Sequence, residues 1–149
     1  MQVQLQKNGY TLYSHQRKGV KWMIQRENPV ATENTVAVAN NYIRVDPTIT
    51  GGILADDPGL GKTLQTICMM LENPKPKTLL VVPMCVLTQW YNELIKFFDE
   101  ESILRYHRSN RTYNWADPKK FPIVLTTYGT FKSKQSMLKD YVGSWDRLI

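Results

Sequence analysis

Cysteine is scarce in this chain: Cys68 and Cys85 are the only two among 149 residues. Two thiols cannot by themselves build a metal cluster, and they cannot staple a small secreted scaffold. Both fall in apolar stretches, so the pattern predicts buried, reduced thiols and a reducing intracellular compartment. Long apolar runs are missing as well. Leu79-Leu80-Val81-Val82 is typical, far short of the ~20 residues that a membrane-spanning helix needs. The first residues, MQVQLQKNGY, lack the apolar stretch of a secretory signal. No internal repeat and no low-complexity tract breaks the chain, which sets aside repeat architectures and disordered tails. What is left is 42% hydrophobic and 11% aromatic, the composition of one globular domain long enough to bury a core.

Charge is the first positive signal. The formal net charge is +6, and residues 101–149 hold nine Lys or Arg against four Asp or Glu. A basic third of a domain suggests a polyanionic partner, usually nucleic acid. The plainer reading, a solvated basic face, stands beside it.

Along the chain, residues 10–27 read as a helix, with Leu12, Val20, Met23 and Ile24 able to share a face and Asn28-Pro29 ending it. From 30 to 50 periodicity is lost, and a loop or insertion is expected. Gly52-Ile53-Leu54-Ala55 reads as a strand running into a glycine-rich turn and then a helix through Leu64, Ile67, Met70 and Leu71. Thr78 to Pro83 is a continuous apolar run, as in a strand buried on both faces. Val86 to Phe98 is an amphipathic helix, Ser102 to Arg108 a strand candidate, and Pro122 to Tyr128 a further strand. Phe131 to Tyr141 has helical character, and Trp145 to Ile149 opens another strand. Strands alternating with helices predict a mostly parallel sheet with helices on both faces, and ligands at the carboxyl ends of its strands.

The chemistry concentrates in Gly51 to Ile67, GGILADDPGLGKTLQTI. A strand–loop–helix ending in Gly61-Lys62-Thr63 is what a phosphate-binding loop requires. Glycines let backbone N–H groups turn inward around a phosphate, and the helix N-terminus adds donors and a favourable dipole. Lys62 is placed to reach the β- and γ-phosphates, and the Thr63 hydroxyl to ligate Mg²⁺. These two are the candidate catalytic residues; Asp56, Asp57, Pro58, Gly59, Leu60, Gly61 and Leu64 complete the binding loop. The general pattern asks for glycine where Asp56 stands.

Four blocks in order resemble the amino-terminal RecA-like lobe of the SWI/SNF-type ATPases, helicase-like motors of superfamily two. Leu12 to Met23, LYSHQRKGVKWM, is similar to that family's adenine-recognition motif. A glutamine amide offers one donor and one acceptor face to adenine, although a glutamine on a basic helix is most often merely solvated. The phosphate loop follows the family's pattern, which accepts Asp at position 56. Asp57 and Pro58 depart from it, and Pro58 removes one potential N–H donor. Leu79 to Pro83 with Gln89-Trp90 resembles the next motif, with Trp90 better read as a core anchor. Val124-Leu125-Thr126-Thr127-Tyr128 resembles a motif that contacts DNA, where short hydroxyls bond phosphate oxygens without reading bases.

The resemblance implies a RecA-like P-loop domain spanning residues 1–149, with ATP and Mg²⁺ as cofactors and Gln16 as the adenine contact. It implies double-stranded DNA as partner, held by Thr126, Thr127 and Tyr128 through its backbone, and a second RecA-like lobe elsewhere. The chain is expected to stop just before the family's acidic Mg²⁺-binding motif, so it should bind ATP and hydrolyse it poorly. A nuclear location follows, the host nucleus for viral members such as the baculoviral global transactivators. The competing expectation is a nucleic-acid- or partner-binding module with a degenerate nucleotide site, suggested by Asp57, Pro58 and the basic last third.

Overall fold

The computed structural model describes residues 9–28, 35–38, 41–44, 50–107, 120–133 and 145–149. These fall into two compact units, divided after Asn73.

The first unit is built on two helices. Helix α1, Ser14–Glu27, starts with the Tyr13 N–H donating to Gln16 Oε1 at 2.9 Å. That is the reach-back half of a capping box, in which a side chain of the first turn satisfies a backbone donor. Its periodic face buries Val20, with Leu12 just ahead of the helix also buried. Between the helices lie two short antiparallel strands, β1 (Thr35–Val38) and β2 (Asn41–Arg44), paired Thr35 to Arg44 and Val38 to Asn41. These two strands fall within the 30–50 stretch expected to be a loop or insertion, most of the rest of which lies outside the described residues. Thr-Val-Ala-Val and Asn-Tyr-Ile-Arg are rich in β-branched and aromatic residues, which suit a paired strand.

Helix α2, Lys62–Glu72, packs against α1. Six consecutive residues, Gln65 to Met70, are buried, more than the one stripe of a surface helix. The two helices are tied at one end by Asn73 Nδ2 donating to Glu27 Oε2 at 2.6 Å. The expected strand at 52–55 is absent: residues 50–57 form no ladder with any described strand. Ile53 is 85% exposed, and an apolar run without a partnered edge has nothing to hold it as a strand. The segment is held from α1 instead. Arg26 and Gly51 exchange hydrogen bonds, Gly51 N–H to Arg26 O at 3.0 Å and Arg26 Nε to Gly51 O at 2.8 Å. The Trp22 ring lies so close to Gly52 that a β-carbon there would stand 2.6 Å from it.

The second unit is a four-stranded, wholly parallel sheet in the order β4-β5-β3-β6. Its strands are β3 (Thr78–Val82), β4 (Ile103–Tyr106), β5 (Ile123–Thr127) and β6 (Arg147–Leu148). Every residue of β5 is buried, as expected for a strand with a neighbour on each edge and both faces covered. Leu79, Leu104, Tyr106 and Val124 form the core, with Val81, Phe121, Phe131 and Trp145 packed against it. Pro83 ends β3, and after a turn of 3₁₀ helix helix α3 runs from Leu87 to Leu94. It is shorter than the predicted Val86–Phe98 span, whose last residues are irregular turns. A six-residue helix α4, Tyr128–Ser133, follows β5 directly. The predicted 131–141 helix thus begins earlier, and residues 134–141 lie outside the described ones.

The cysteines divide. Cys68 is buried, and burial together with the nearby Glu72 carboxylate pushes its thiol up to about 11. Cys85 is exposed, contrary to the expectation of two buried thiols, because it sits on the turn after Pro83 and not in the strand. A thiol reagent at pH 8 is therefore expected to titrate one cysteine in the native protein and two in guanidinium.

Candidate functional site

The loop from Asp56 to Gly61 turns on two residues with left-handed backbone, Gly59 (φ +87°) and Gly61 (φ +79°). Asp57 and Leu60 close the turn between them, Leu60 N–H donating to Asp57 O at 3.4 Å. Gly61 is the N-cap of α2, so the N–H groups of Gly61, Lys62, Thr63 and Leu64 are the orphan donors of a helix start. They have no partner among the described residues. Four open donors at the positive end of an 11-residue helix are a ready anion cradle. The Lys62 ammonium curls back over it, donating to Asp56 O at 2.6 Å and Asp57 O at 3.0 Å. The cation is thus already held above the loop.

The Leu60 carbonyl is the other fixed point. It accepts from Gln16 Nε2 at 3.1 Å, and at 3.4 Å from Gln65 Nε2; His15 Nε2 stands at the same 3.4 Å. Both faces of the Gln16 amide are thereby engaged, its oxygen by Tyr13 N–H and its nitrogen by Leu60. Beside it the Tyr13 and His15 rings stack, 6.0 Å between centroids and 7° from parallel. Gly61 is needed here on two counts: its φ is positive, and a β-carbon would stand 2.5 Å from Gln16 Nε2. Gly61→Ala is expected to cost about 1–2 kcal/mol of backbone strain and to displace Gln16. A thermal melt and a nucleotide titration of that variant check the two effects.

The second candidate region lies at the carboxyl ends of β4 and β5, which their register (Tyr106 to Thr126) brings level. Thr126 is fully buried and its hydroxyl donates to Tyr106 O at 2.7 Å. Thr127 is buried too, and acts as the N-cap of α4: its Oγ1 accepts from Thr130 N–H at 3.3 Å. The two threonine hydroxyls lie 3.1 Å apart, and His107 Nδ1 is 3.1 Å from Thr130 Oγ1. Tyr128 is 61% exposed. With Met84, His107, Gly129 and the two threonines it lines an open depression of ≈ 290 Å³. Of the three residues expected to meet DNA, Tyr128 is exposed, Thr127 lines the depression with its hydroxyl bonded to Thr130, and Thr126 is buried with its hydroxyl on Tyr106 O.

Comparison with known proteins bears on both regions. The profile of the SNF2-related domain matches residues 15–149. The chain belongs to the SNF2-related domain family. The yeast (Saccharomyces cerevisiae) transcription regulatory protein SNF2 is 29% identical over 139 residues, 87% of this chain and 7% of its own length. Protein 172L of Invertebrate iridescent virus 6 is 33% identical over 130 residues, 82% of this chain and 21% of its own. Among solved structures, the Sulfolobus solfataricus SWI2/SNF2 ATPase core in complex with double-stranded DNA aligns with a TM-score of 0.54 and 28% identity. That alignment covers 82% of this chain and 22% of the archaeal one. The SNF2-related domain described here therefore spans between 7% and 22% of the length of these proteins, and the parallel sheet with its helices is the RecA-like fold expected from the sequence.

Within this SNF2-related domain the structure brings the loop residues 56–64 and Gln16 together around Leu60. Sequence reasoning missed Gln65, which reads as one more polar residue on a helix. It also missed the Thr127–Thr130 pair, although a Thr followed three residues later by another hydroxyl at a helix start carries a capping signal.

Proposed function

We propose that this chain is the ATP-binding lobe of a DNA-dependent ATPase that translocates on duplex DNA. The observation that carries the reading is the cradle at the start of α2, four open N–H donors with the Lys62 ammonium poised over them. An ammonium that has only two loop carbonyls as partners can exchange them for phosphate oxygens, a charge-assisted bond roughly twice as strong as a neutral one. Lys62 would then bind the β- and γ-phosphates, with the N–H groups of Gly61 to Leu64 around them and Pro58 contributing none. Gln16, with His15 and Tyr13 beside it, would meet the adenine by exchanging its bond to Leu60. Thr63 is the side chain that would hold Mg²⁺, an ion that when bound neutralises charge between the phosphates.

For DNA, the exposed Tyr128 and the backbone at Gly129 would touch one strand, with Thr126 and Thr127 fixing them from beneath. Such contacts position the duplex and carry no sequence information. A second RecA-like lobe would supply the arginine fingers that account for roughly 10³–10⁵ in rate, so this lobe alone would turn over slowly. The similarity to a transcription regulatory protein and to an archaeal DNA-bound ATPase core supports chromatin or transcription as the setting. We place the protein in the nucleus, or in a host nucleus if its source is viral.

The test is ATP turnover by the protein together with its second lobe, without nucleic acid, with single-stranded DNA and with duplex. Strong stimulation by duplex is the expected result. Salt-sensitive DNA binding without turnover under any condition would instead favour a binding module with a degenerate nucleotide site.

A further inference from the structure

Gln65 is completely buried on α2. Its amide nitrogen donates to Asp56 Oδ2 at 2.8 Å and, more loosely, to Leu60 O at 3.4 Å, so one side chain holds both ends of the phosphate loop. Its oxygen Oε1 has no hydrogen-bond partner among the described residues. It lies against the bare Cα of Gly19 on α1, where any β-carbon would collide with it. A buried oxygen left unpaired costs stability, and an apolar side chain of the same shape would remove that cost. Packing alone therefore gives no reason for glutamine at this position.

We propose that Gln65 is a positioning residue of the nucleotide site, holding the Asp56 carboxylate and the Leu60–Gly61 peptide in the orientation that phosphate binding needs. The inference rests on the nucleotide-binding reading given above. A trans peptide is planar, with its C=O and N–H pointing in opposite directions; no peptide bond in the described chain is cis. Turning Leu60 O onto Gln65 and Gln16 aims the Gly61 N–H the other way, away from both amides. The second effect is electrostatic. Asp56 stands where a phosphate loop commonly has glycine, and a mobile carboxylate there would repel a polyphosphate. With one oxygen bonded to Gln65, its charge has a fixed place. Both effects act on phosphates, while the proposed adenine contact Gln16 keeps its own bond from the Tyr13 N–H, which gives the proposal a signature that a purely structural residue lacks.

The experiment is calorimetric titration of the full chain with MgATP and with adenosine, beside a thermal melt, for wild type, Gln65→Met and Gly19→Ala. Methionine keeps the length and shape and removes both donor bonds together with the unpaired oxygen. The expected result for Gln65→Met is an affinity for MgATP reduced about tenfold, an unchanged affinity for adenosine, and a melting temperature equal to or above that of wild type. Gly19→Ala, which pushes the Gln65 amide off its partners, is expected to show the same selective loss of MgATP. MgATP affinity within twofold of wild type in both variants would overturn the positioning role while leaving the nucleotide site standing. Equal losses for MgATP and adenosine with a lowered melting temperature would make Gln65 a structural residue only. A wild-type chain that binds no MgATP would remove the nucleotide reading and the proposal with it. If Gln65→Met does not fold, Gly19→Ala alone decides between these outcomes.

Discussion

Lys62→Ala is expected to abolish ATP turnover and leave the fold intact. The side chain has no buried role: its ammonium bonds only the carbonyls of Asp56 and Asp57, and both lie on a half-exposed or exposed loop where water replaces the lost donor. Alanine is also the best helix former at the first position of α2, so the melting temperature should move little. The loss falls on the transition state, where one charge-assisted contact to the transferring phosphate commonly carries several kcal/mol. Turnover of the protein with its second lobe, measured with and without duplex DNA, should drop at least about a hundredfold. Undiminished turnover would mean that the cradle at α2 is not the nucleotide site, whatever else it binds.

Leu104→Ala is expected to have the largest effect on stability. Leu104 is wholly buried in β4 and belongs to the cluster with Leu79, Tyr106 and Val124. Strands on a parallel sheet cannot slide inward to fill the space that alanine leaves, so a cavity cost adds to the lost transfer energy. The usual range for such a truncation is about 2–5 kcal/mol, against a total of about 5–15 kcal/mol for a whole domain. Urea unfolding should show the midpoint falling with an unchanged slope. A loss below about 1 kcal/mol would show that β4, at the edge of the sheet, is not part of the cooperative core.

The two variants probe the two kinds of information that the sequence carries. The apolar runs at 78–82 and 123–127 were readable as buried strands because period and composition agree there, and the structure pairs them as neighbours. The phosphate loop was readable because its glycines mark positive φ, which Gly59 and Gly61 adopt. The hairpin at 35–44 was not, since two four-residue strands offer too few alternations to stand out from a loop. The supposed strand at 52–55 failed for the opposite reason: its composition is right, but a strand exists only through a partner. The bonding of Thr127 is a local cap onto Thr130, but that of Thr126 turned on register. Whether a threonine hydroxyl faces a ligand or the carbonyl of Tyr106 depends on how β4 and β5 align, and no local pattern encodes that. Gln65 was hidden in the same way, because its bonding is settled by a loop five to nine residues away.

The strand order has a consequence for how the molecule is made. β3 is internal to the sheet, yet both its neighbours, β5 and β6, begin far downstream, at Ile123 and Arg147. At about 5–20 residues per second on a ribosome, β3 waits several seconds for its first partner. During that interval Leu79, Leu80 and Val82, all buried in the finished sheet, have no ladder to join. Nascent chains of this protein should therefore lean on holdase chaperones until residue 127 has emerged, and release from them should track the arrival of β5.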